Sequence, residues 1–225
     1  MNEAGELVNF QIDPKLVPHL RDAVEPGARS METGSGISTI VLLVLGAQHT
    51  SISPDGGEAE RIRAYCEEND IPVDGFTPMV AKSEDVLPNL ELDAELDLII
   101  VDGNHAFPAP MVDWFYMTRH LRTGGMLVVD DVELWTGAVL ADFLDGEAGV
   151  WLRLARTKRF AIYRLLVENG VALGRSWVEQ PRVVQGTDFS VVNPSAVLPR
   201  SRRPNQPITM RLRRIGRRAW WKFRH

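Results

Sequence analysis

Three stretches of the chain bring together residues whose types and spacing can do chemistry. The first is Met31-Glu32-Thr33-Gly34-Ser35-Gly36-Ile37-Ser38-Thr39, an apolar run that passes through two glycines into a helical pattern. Gly34 and Gly36 let the backbone come close to a ligand, and the start of the helix beyond them offers unpaired N–H groups. Thr39 stands where the full G-x-G-x-x-G dinucleotide pattern has its third glycine, so the loop taken alone fits a tight strand-to-helix turn equally well. Its neighbours add chemistry. Glu32, at the end of the strand, is placed to receive a cationic amino-acid group, and with Ser35 it flanks the glycines. Asp55 follows Gly34 by 21 residues, where an acid commonly binds ribose hydroxyls, although in Ser-Pro-Asp-Gly-Gly it also suits a turn.

The second stretch, Leu98-Ile-Ile-Val-Asp102-Gly-Asn-His105, and the third, Leu121-Arg-Thr-Gly-Gly-Met-Leu-Val-Val-Asp130-Asp131, are apolar strands that end in acids. In an open α/β sheet, ligands bind at the carboxyl ends of the strands. Asp102, Asp130 and Asp131 would meet there and repel one another unless protons or a cation compensated them. A few hard oxygen donors suit Mg²⁺ better than zinc. His105, with an ordinary imidazole, is the candidate base beside Asp102. The plainer alternatives are that Asp130 and Asp131 cap the next helix or pair with surface arginines, and that His105 is an ordinary loop histidine. His49 and His120 lack a carboxylate in a suggestive register and read as structural, and Cys66, the one cysteine, reads as a buried inert thiol. Trp135 suits a pocket wall and helix packing equally.

Positioning these groups requires a sheet. Short β-rich runs near 29–33, 49–53, 75–81, 96–101 and 126–130 alternate with helical patterns near 38–45, 57–69, 84–90, 110–121 and 135–144, the signature of βαβ units and a mainly parallel sheet. Two further strand candidates, GVWLRLAR and KRFAIYRLL, are joined so tightly that they must be antiparallel. From Val171 the patterning fades, and VVNPSAVLPRSRRPNQP reads as a linker. Residues 1–180 are therefore expected to form one domain, and 181–225 a linker with a basic amphipathic tail.

The 44% apolar and 24% charged residues can build a packed core. The longest apolar stretch, Ile40 to Gly46, is too short to span a bilayer, and the N-terminus lacks the pattern of a secretory signal, so a cytoplasmic protein is expected. The formal net charge of −5 hides an asymmetry: ten of the 25 basic residues lie from Arg200 onward, and all 30 acids lie before it. The body thus carries −15 and the tail +10. An acidic body disfavours a nucleic-acid groove across the fold. In the tail, Leu212, Ile215, Ala219, Trp220 and Phe223 share one helical face among arginines, which suits peripheral contact with an anionic inner membrane face; a solvated tail, or one that binds a partner or nucleic acid, is the alternative.

Taken together, ETGSGIST, the acid of SISPD, KSEDVLPNL, VDGNHAFPAPMVDW and LRTGGMLVVDDV resemble the class I S-adenosylmethionine-dependent methyltransferases, and within them the macrocin O-methyltransferase and cephalosporin hydroxylase group, over about Asp13 to Arg164. The spacing of Asp102, His105 and Asp130 is also similar to that of the metal-dependent catechol methyltransferases. The resemblance implies a Rossmann-like α/β fold: a seven-stranded sheet, mostly parallel, with a C-terminal antiparallel hairpin and helices on both faces. It implies S-adenosylmethionine as cofactor, held by Glu32, Gly34, Ser35, Gly36, Asp55, Ser83 and Glu84, and Mg²⁺ held by Asp102, Asp130 and Asp131 with His105 as base. The implied acceptor is a small molecule, a hydroxyl on a sugar or secondary metabolite, lipid-linked if the tail docks on a membrane, and self-association is left open. A nicotinamide-dependent oxidoreductase, a noncatalytic module of the same fold, and methyl transfer without a metal are the competing readings.

Overall fold

The computed structural model describes residues 12–187. These fall into two compact units, one reaching Arg175 and the other starting at Ser176. The first contains α1 (Leu16–Ala23), β1 (Arg29–Thr33), α2 (Ile37–Val44), β2 (Gln48–Ser53), α3 (Gly56–Glu68), β3 (Phe76–Val80), α4 (Ser83–Val86), β4 (Leu96–Val101), α5 (Ala109–Thr118), β5 (Leu121–Val129), α6 (Trp135–Gly146), β6 (Trp151–Arg156), β7 (Ala161–Leu165) and α7 (Asn169–Leu173). The second, as far as it is described, is a single 3₁₀ turn followed by α8 (Pro181–Gly186). No helix among the described residues is long and apolar enough to cross a membrane.

The seven strands form one sheet in the order β3-β2-β1-β4-β5-β7-β6. β1 to β5 run parallel, while β7 lies antiparallel between β5 and β6. The fold class read from the sequence is thus the observed one. The β-branched runs of β4 and β5 are buried on both faces, as central parallel strands require. Alternate residues supply the two sides of the core. Ile99, Val101, Leu127 and Val129 pack with Met117 of α5 and with Leu140 and Leu144 of α6. Leu98, Ile100, Met126 and Val128 pack with Leu16 and Leu20 of α1 and Leu42 of α2. A smaller cluster joins Leu43, Ile62 and Phe76, tying α2, α3 and β3; it also contains Cys66, whose burial pushes the thiol up.

Two elements differ from the sequence-based expectation. The helix expected through Leu121 stops at Thr118, and β5 starts at Leu121, five residues earlier than expected. Leu121 already pairs with Leu96, and the next pair is Met126 with Leu98, so four residues of β5 face one of β4. The Gly-Gly pair is therefore a bulge within the strand and not the turn before it. Gly124 takes φ +81°, and a Cβ on Gly125 would lie 2.6 Å from the Leu121 side chain. The helix expected over 84–90 is one turn of α4 followed by a 3₁₀ turn, Leu87–Asn89, because Pro88 cannot donate into an α-helical ladder.

Strand order reverses between β1 and β4, since β2 and β3 extend to one side and β5 to the other. At such a switch point the connecting helices diverge to opposite faces and open a crevice at the carboxyl ends of the strands.

Candidate functional site

The crevice is a cleft of about 1010 Å³ lined by the loop after β1, the start of α3, Lys82 to Glu84, Asp102 to His105, Asp130, Asp131 and Arg159. Its floor is fixed by one close backbone approach. Gly34 adopts φ +86°, and a Cβ there would sit 2.3 Å from the carbonyl oxygen of Asp102. Only glycine lets the tips of β1 and β4 approach so closely.

Beneath the loop lies a buried polar cluster that the sequence reading had only in fragments. Glu32 is fully buried, accepts from Ser38 Oγ at 2.6 Å and from the Thr39 hydroxyl, and lies 3.1 Å from His49 Nε2. His49 Nδ1 is 2.8 Å from Ser30 Oγ, so one tautomer satisfies the whole set: Ser30 donates to Nδ1, and Nε2–H donates to Glu32. Thr39 also accepts from the Gly36 N–H at 3.1 Å. The residue that replaces the third glycine is thus the one that ties the loop to the helix and to the acid beneath. Glu32, expected at the ligand, is turned inward and does not line the cleft. The reason is local: its carboxylate meets three donors in the protein, whereas an open position would leave Ser38, Thr39 and His49 buried without an acceptor.

At the β2 end, Asp55 lies two residues beyond the strand and caps α3 by accepting from the Gly57 N–H at 2.9 Å. Arg61, 3.1 Å away, and then the Gly57 N–H hold its carboxyl below the usual range. Glu58, which sequence reasoning missed, accepts from Ser35 Oγ at 2.7 Å and Ser53 Oγ at 2.6 Å and lines the same cleft. Its signal was available: an acid in the first turn of a helix whose N-terminus faces the crevice. Ser83 and Glu84 both line the cleft, Ser83 buried and Glu84 exposed.

The other end is acidic. Burial first, then the charges of Asp130, Glu32 and Asp131, push Asp102 up to about 9, against the pull of Arg159. Burial likewise raises Asp130 to about 6, and its Oδ1 is buried without a hydrogen-bond partner. Asp131 has a left-handed backbone, φ 48°, and its Oδ2 lies 3.1 Å from His105 Nε2. Ligand atoms of Asp102, His105 and Asp131 all fall within 4.8 Å of one another. The sequence grouped Asp130 with the other two acids; in the structure His105 falls within the trio, and Asp130 lies beside it, close enough for its charge to raise Asp102. The left-handed backbone at Asp131 breaks the extended run past β5, so adjacent Asp130 and Asp131 do not present their carboxylates equivalently.

Arg159 was also missed. It bridges Asp131 Oδ1 at 3.2 Å and Glu133 Oε1 at 2.9 Å, and its carbonyl accepts from the Val132 N–H at 3.0 Å. Topology could have found it: β7 runs antiparallel to β5 with Ala161 opposite Val129, so whatever precedes β7 must lie at the acidic edge. Trp135 does not line the cleft; it is 67% exposed, with its ring tilted against Phe107 at 5.8 Å. Thr136 Oγ1 donates to the His105 carbonyl at 2.8 Å, fastening the loop that carries His105 to α6.

Residues 31–132 match a family model described as a methyltransferase domain, a span that runs from the middle of β1 to just past Asp131. No curated protein matches the chain in sequence. Among solved structures, a putative rRNA-methylase from Clostridium thermocellum is similar with TM-score 0.57 at 12% identity, over 71% of this chain and 99% of that one. The O-methyltransferase TomG from Streptomyces achromogenes, involved in tomaymycin synthesis and solved with SAM, is similar with TM-score 0.54 at 20% identity, over 68% of this chain and 78% of that one. Cofactor-bound Rv0187 from MTB gives TM-score 0.54 at 19% identity, over 72% and 84%. The fold is the Rossmann-like methyltransferase fold.

Proposed function

We propose that the chain is an S-adenosylmethionine-dependent methyltransferase acting on a hydroxyl of a small molecule, a sugar or secondary metabolite, with help from a divalent cation. The observation that carries the reading is a single cleft lined both by the Gly34 loop and by the Asp102, His105 and Asp131 cluster. The match of residues 31–132 to a methyltransferase-domain model supports the same reading.

Bound S-adenosylmethionine supplies a methyl group on a sulfonium that leaves as a neutral thioether, so what the protein must do is align oxygen, carbon and sulfur. In this reading Gly34, Ser35 and Gly36 face the methionyl part, Asp55 and Glu58 face the ribose, and Ser83 and Glu84 the base. Glu32 acts one layer below, holding the loop through Ser38 and Thr39.

The acidic end fits a cation: three carboxylates crowd together, two of them raised by burial and mutual repulsion, and Asp130 keeps a buried oxygen without a partner. Asp102 and Asp131 would hold the ion, with Asp130 beside them and His105 left unligated, and the ion would lower the pKa of a coordinated hydroxyl. His105, 40% exposed and set against Asp131, is the group in reach to take the proton from a substrate hydroxyl or from a water next to it. An acidic cleft in a body of net charge −15 up to Pro199 works against nucleic-acid acceptors, although three of the similar solved structures are named as rRNA methylases or methyltransferases.

The competing nicotinamide-dependent oxidoreductase would use the same glycine loop. Thermal unfolding separates the two, because only a ligand of the native state stabilises it. S-adenosylhomocysteine at a hundred times its Kd should stabilise by about 2.7 kcal/mol. A shift with NAD and none with S-adenosylhomocysteine would reverse the assignment.

A further inference from the structure

The acidic end of the cleft already holds one cation of its own. Arg159 comes from the connection between β6 and β7, and its position there is fixed twice. Its carbonyl accepts from the Val132 N–H at 3.0 Å, and Thr157 closes the turn by accepting from the Phe160 N–H at 3.0 Å. Its guanidinium is shared: Nη2 reaches Asp131 Oδ1 at 3.2 Å, while Nε reaches Glu133 Oε1 at 2.9 Å. Asp131 is therefore divided between His105 on its Oδ2 and Arg159 on its Oδ1. Glu133 lies outside the Asp102, His105 and Asp131 group, so it offers Arg159 a second resting place when Asp131 is taken.

We infer that Arg159 is a resident counter-cation that competes with a divalent metal ion for Asp131, and so sets how tightly this site takes metal. The inference rests on the acidic cluster's capacity to take a metal ion, not on that ion's assisting the native reaction. A guanidinium on one carboxylate oxygen neutralises the ligand that a metal needs and adds like-charge repulsion to any ion that enters. Binding then requires Arg159 to give up Asp131 and keep Glu133 alone. The pairing is a fork spanning two carboxylates, a geometry that the single ammonium of lysine does not reproduce.

The test is calorimetric titration of the full chain with Mn²⁺ and, separately, with Mg²⁺, on wild type, Arg159→Gln and Arg159→Lys, with S-adenosylhomocysteine affinity and circular dichroism as checks on folding. Arg159→Gln should bind Mn²⁺ at least about tenfold more tightly than wild type, because a full positive charge is removed from beside the Asp131 carboxylate. Arg159→Lys should fall between them, and serves as the readout if the glutamine variant does not fold. Mn²⁺ bound by Arg159→Gln and not by wild type would uphold the inference and overturn metal assistance in the native enzyme. Equal or weaker binding by a folded Arg159→Gln would overturn the inference while leaving metal assistance standing. No binding by any of the three would overturn both.

Discussion

Asp113, on the buried side of α5, is 1% exposed, and neither of its oxygens has a well-formed hydrogen bond. It lies under the cleft floor, 3.2 Å from where a Cβ on Gly103 would be. Burial pushes its carboxyl above the ordinary range, against the pull of the Ser83 and Thr33 hydroxyls. A carboxyl whose folded pKa is raised stabilises the fold fully below its unfolded value, and that stability is lost as pH rises through the folded value. Asp113→Asn should therefore gain on wild type between pH 4 and pH 8, by on the order of 1–3 kcal/mol at the upper end, in urea unfolding series at both pH values. Parallel pH profiles would show that Asp113 is already matched. Asp55→Ala belongs to the same scale: if Asp55 meets the ribose, S-adenosylhomocysteine affinity should fall by roughly 1–3 kcal/mol in calorimetry, and an unchanged Kd would remove it from the site. Gly34 and the acid ending β4 were legible because the features that select them are local, a turn and a strand end. Glu58 left a local signal, an acid in the first turn of α3, but Asp113 and Arg159 were not legible, because what gives each its role is a partner 26 to 80 residues away that only the fold brings near.

The connection from β1 to α2 shows how an element is specified by one atom that is missing. At Gly34, φ +86° alone disfavours any L side chain, and the Asp102 carbonyl 2.3 Å from an added Cβ is backbone, which cannot swing away. Gly34→Ala must therefore part the tips of β1 and β4, at an expected cost of about 2–4 kcal/mol, with loss of S-adenosylhomocysteine binding. Gly36, where an added Cβ meets nothing within 4 Å, provides the contrast: Gly36→Ala should stay within about 1 kcal/mol of wild type. Equal denaturation midpoints for the two variants would contradict the close approach. Strand positions were readable throughout because alternate residues of β4 and β5 feed the two core faces, and both alternations are written in apolar side chains. The bulge in β5 was not readable. Thr123-Gly124-Gly125 carries the chemistry of a turn, and whether such a segment ends a strand or buckles one depends on the partner strand, which here reaches past it to pair Leu96 with Leu121.

At the scale of the whole chain, charge is the organising variable. The residues up to Pro199 carry fifteen basic against thirty acidic groups, and the last 26 carry ten basic groups and no acid. That final segment, in which Leu212, Ile215, Ala219, Trp220 and Phe223 have the spacing of one face of a helix, lies outside the described residues, so its proposed role rests on sequence alone. An acidic body is repelled by an anionic membrane, but the repulsion is screened beyond about 8–10 Å at physiological salt. A basic residue at the surface contributes about 1 kcal/mol, so five of the ten engaged together would outweigh it. Aromatic side chains among the arginines add apolar burial at the headgroup boundary. We propose that the tail docks the protein reversibly on an anionic membrane face, where a lipid-linked acceptor would be presented to the cleft. Full-length protein should co-sediment with vesicles containing phosphatidylserine and not with neutral phosphatidylcholine vesicles, whereas a chain truncated after Pro199 should bind neither. Binding should fall steeply as salt is raised, because the attraction is between charges at a solvated surface. Equal sedimentation of the two chains, or none by the full-length protein at low salt, would end the proposal, and selective retention on nucleic acid under the same conditions would reassign the tail.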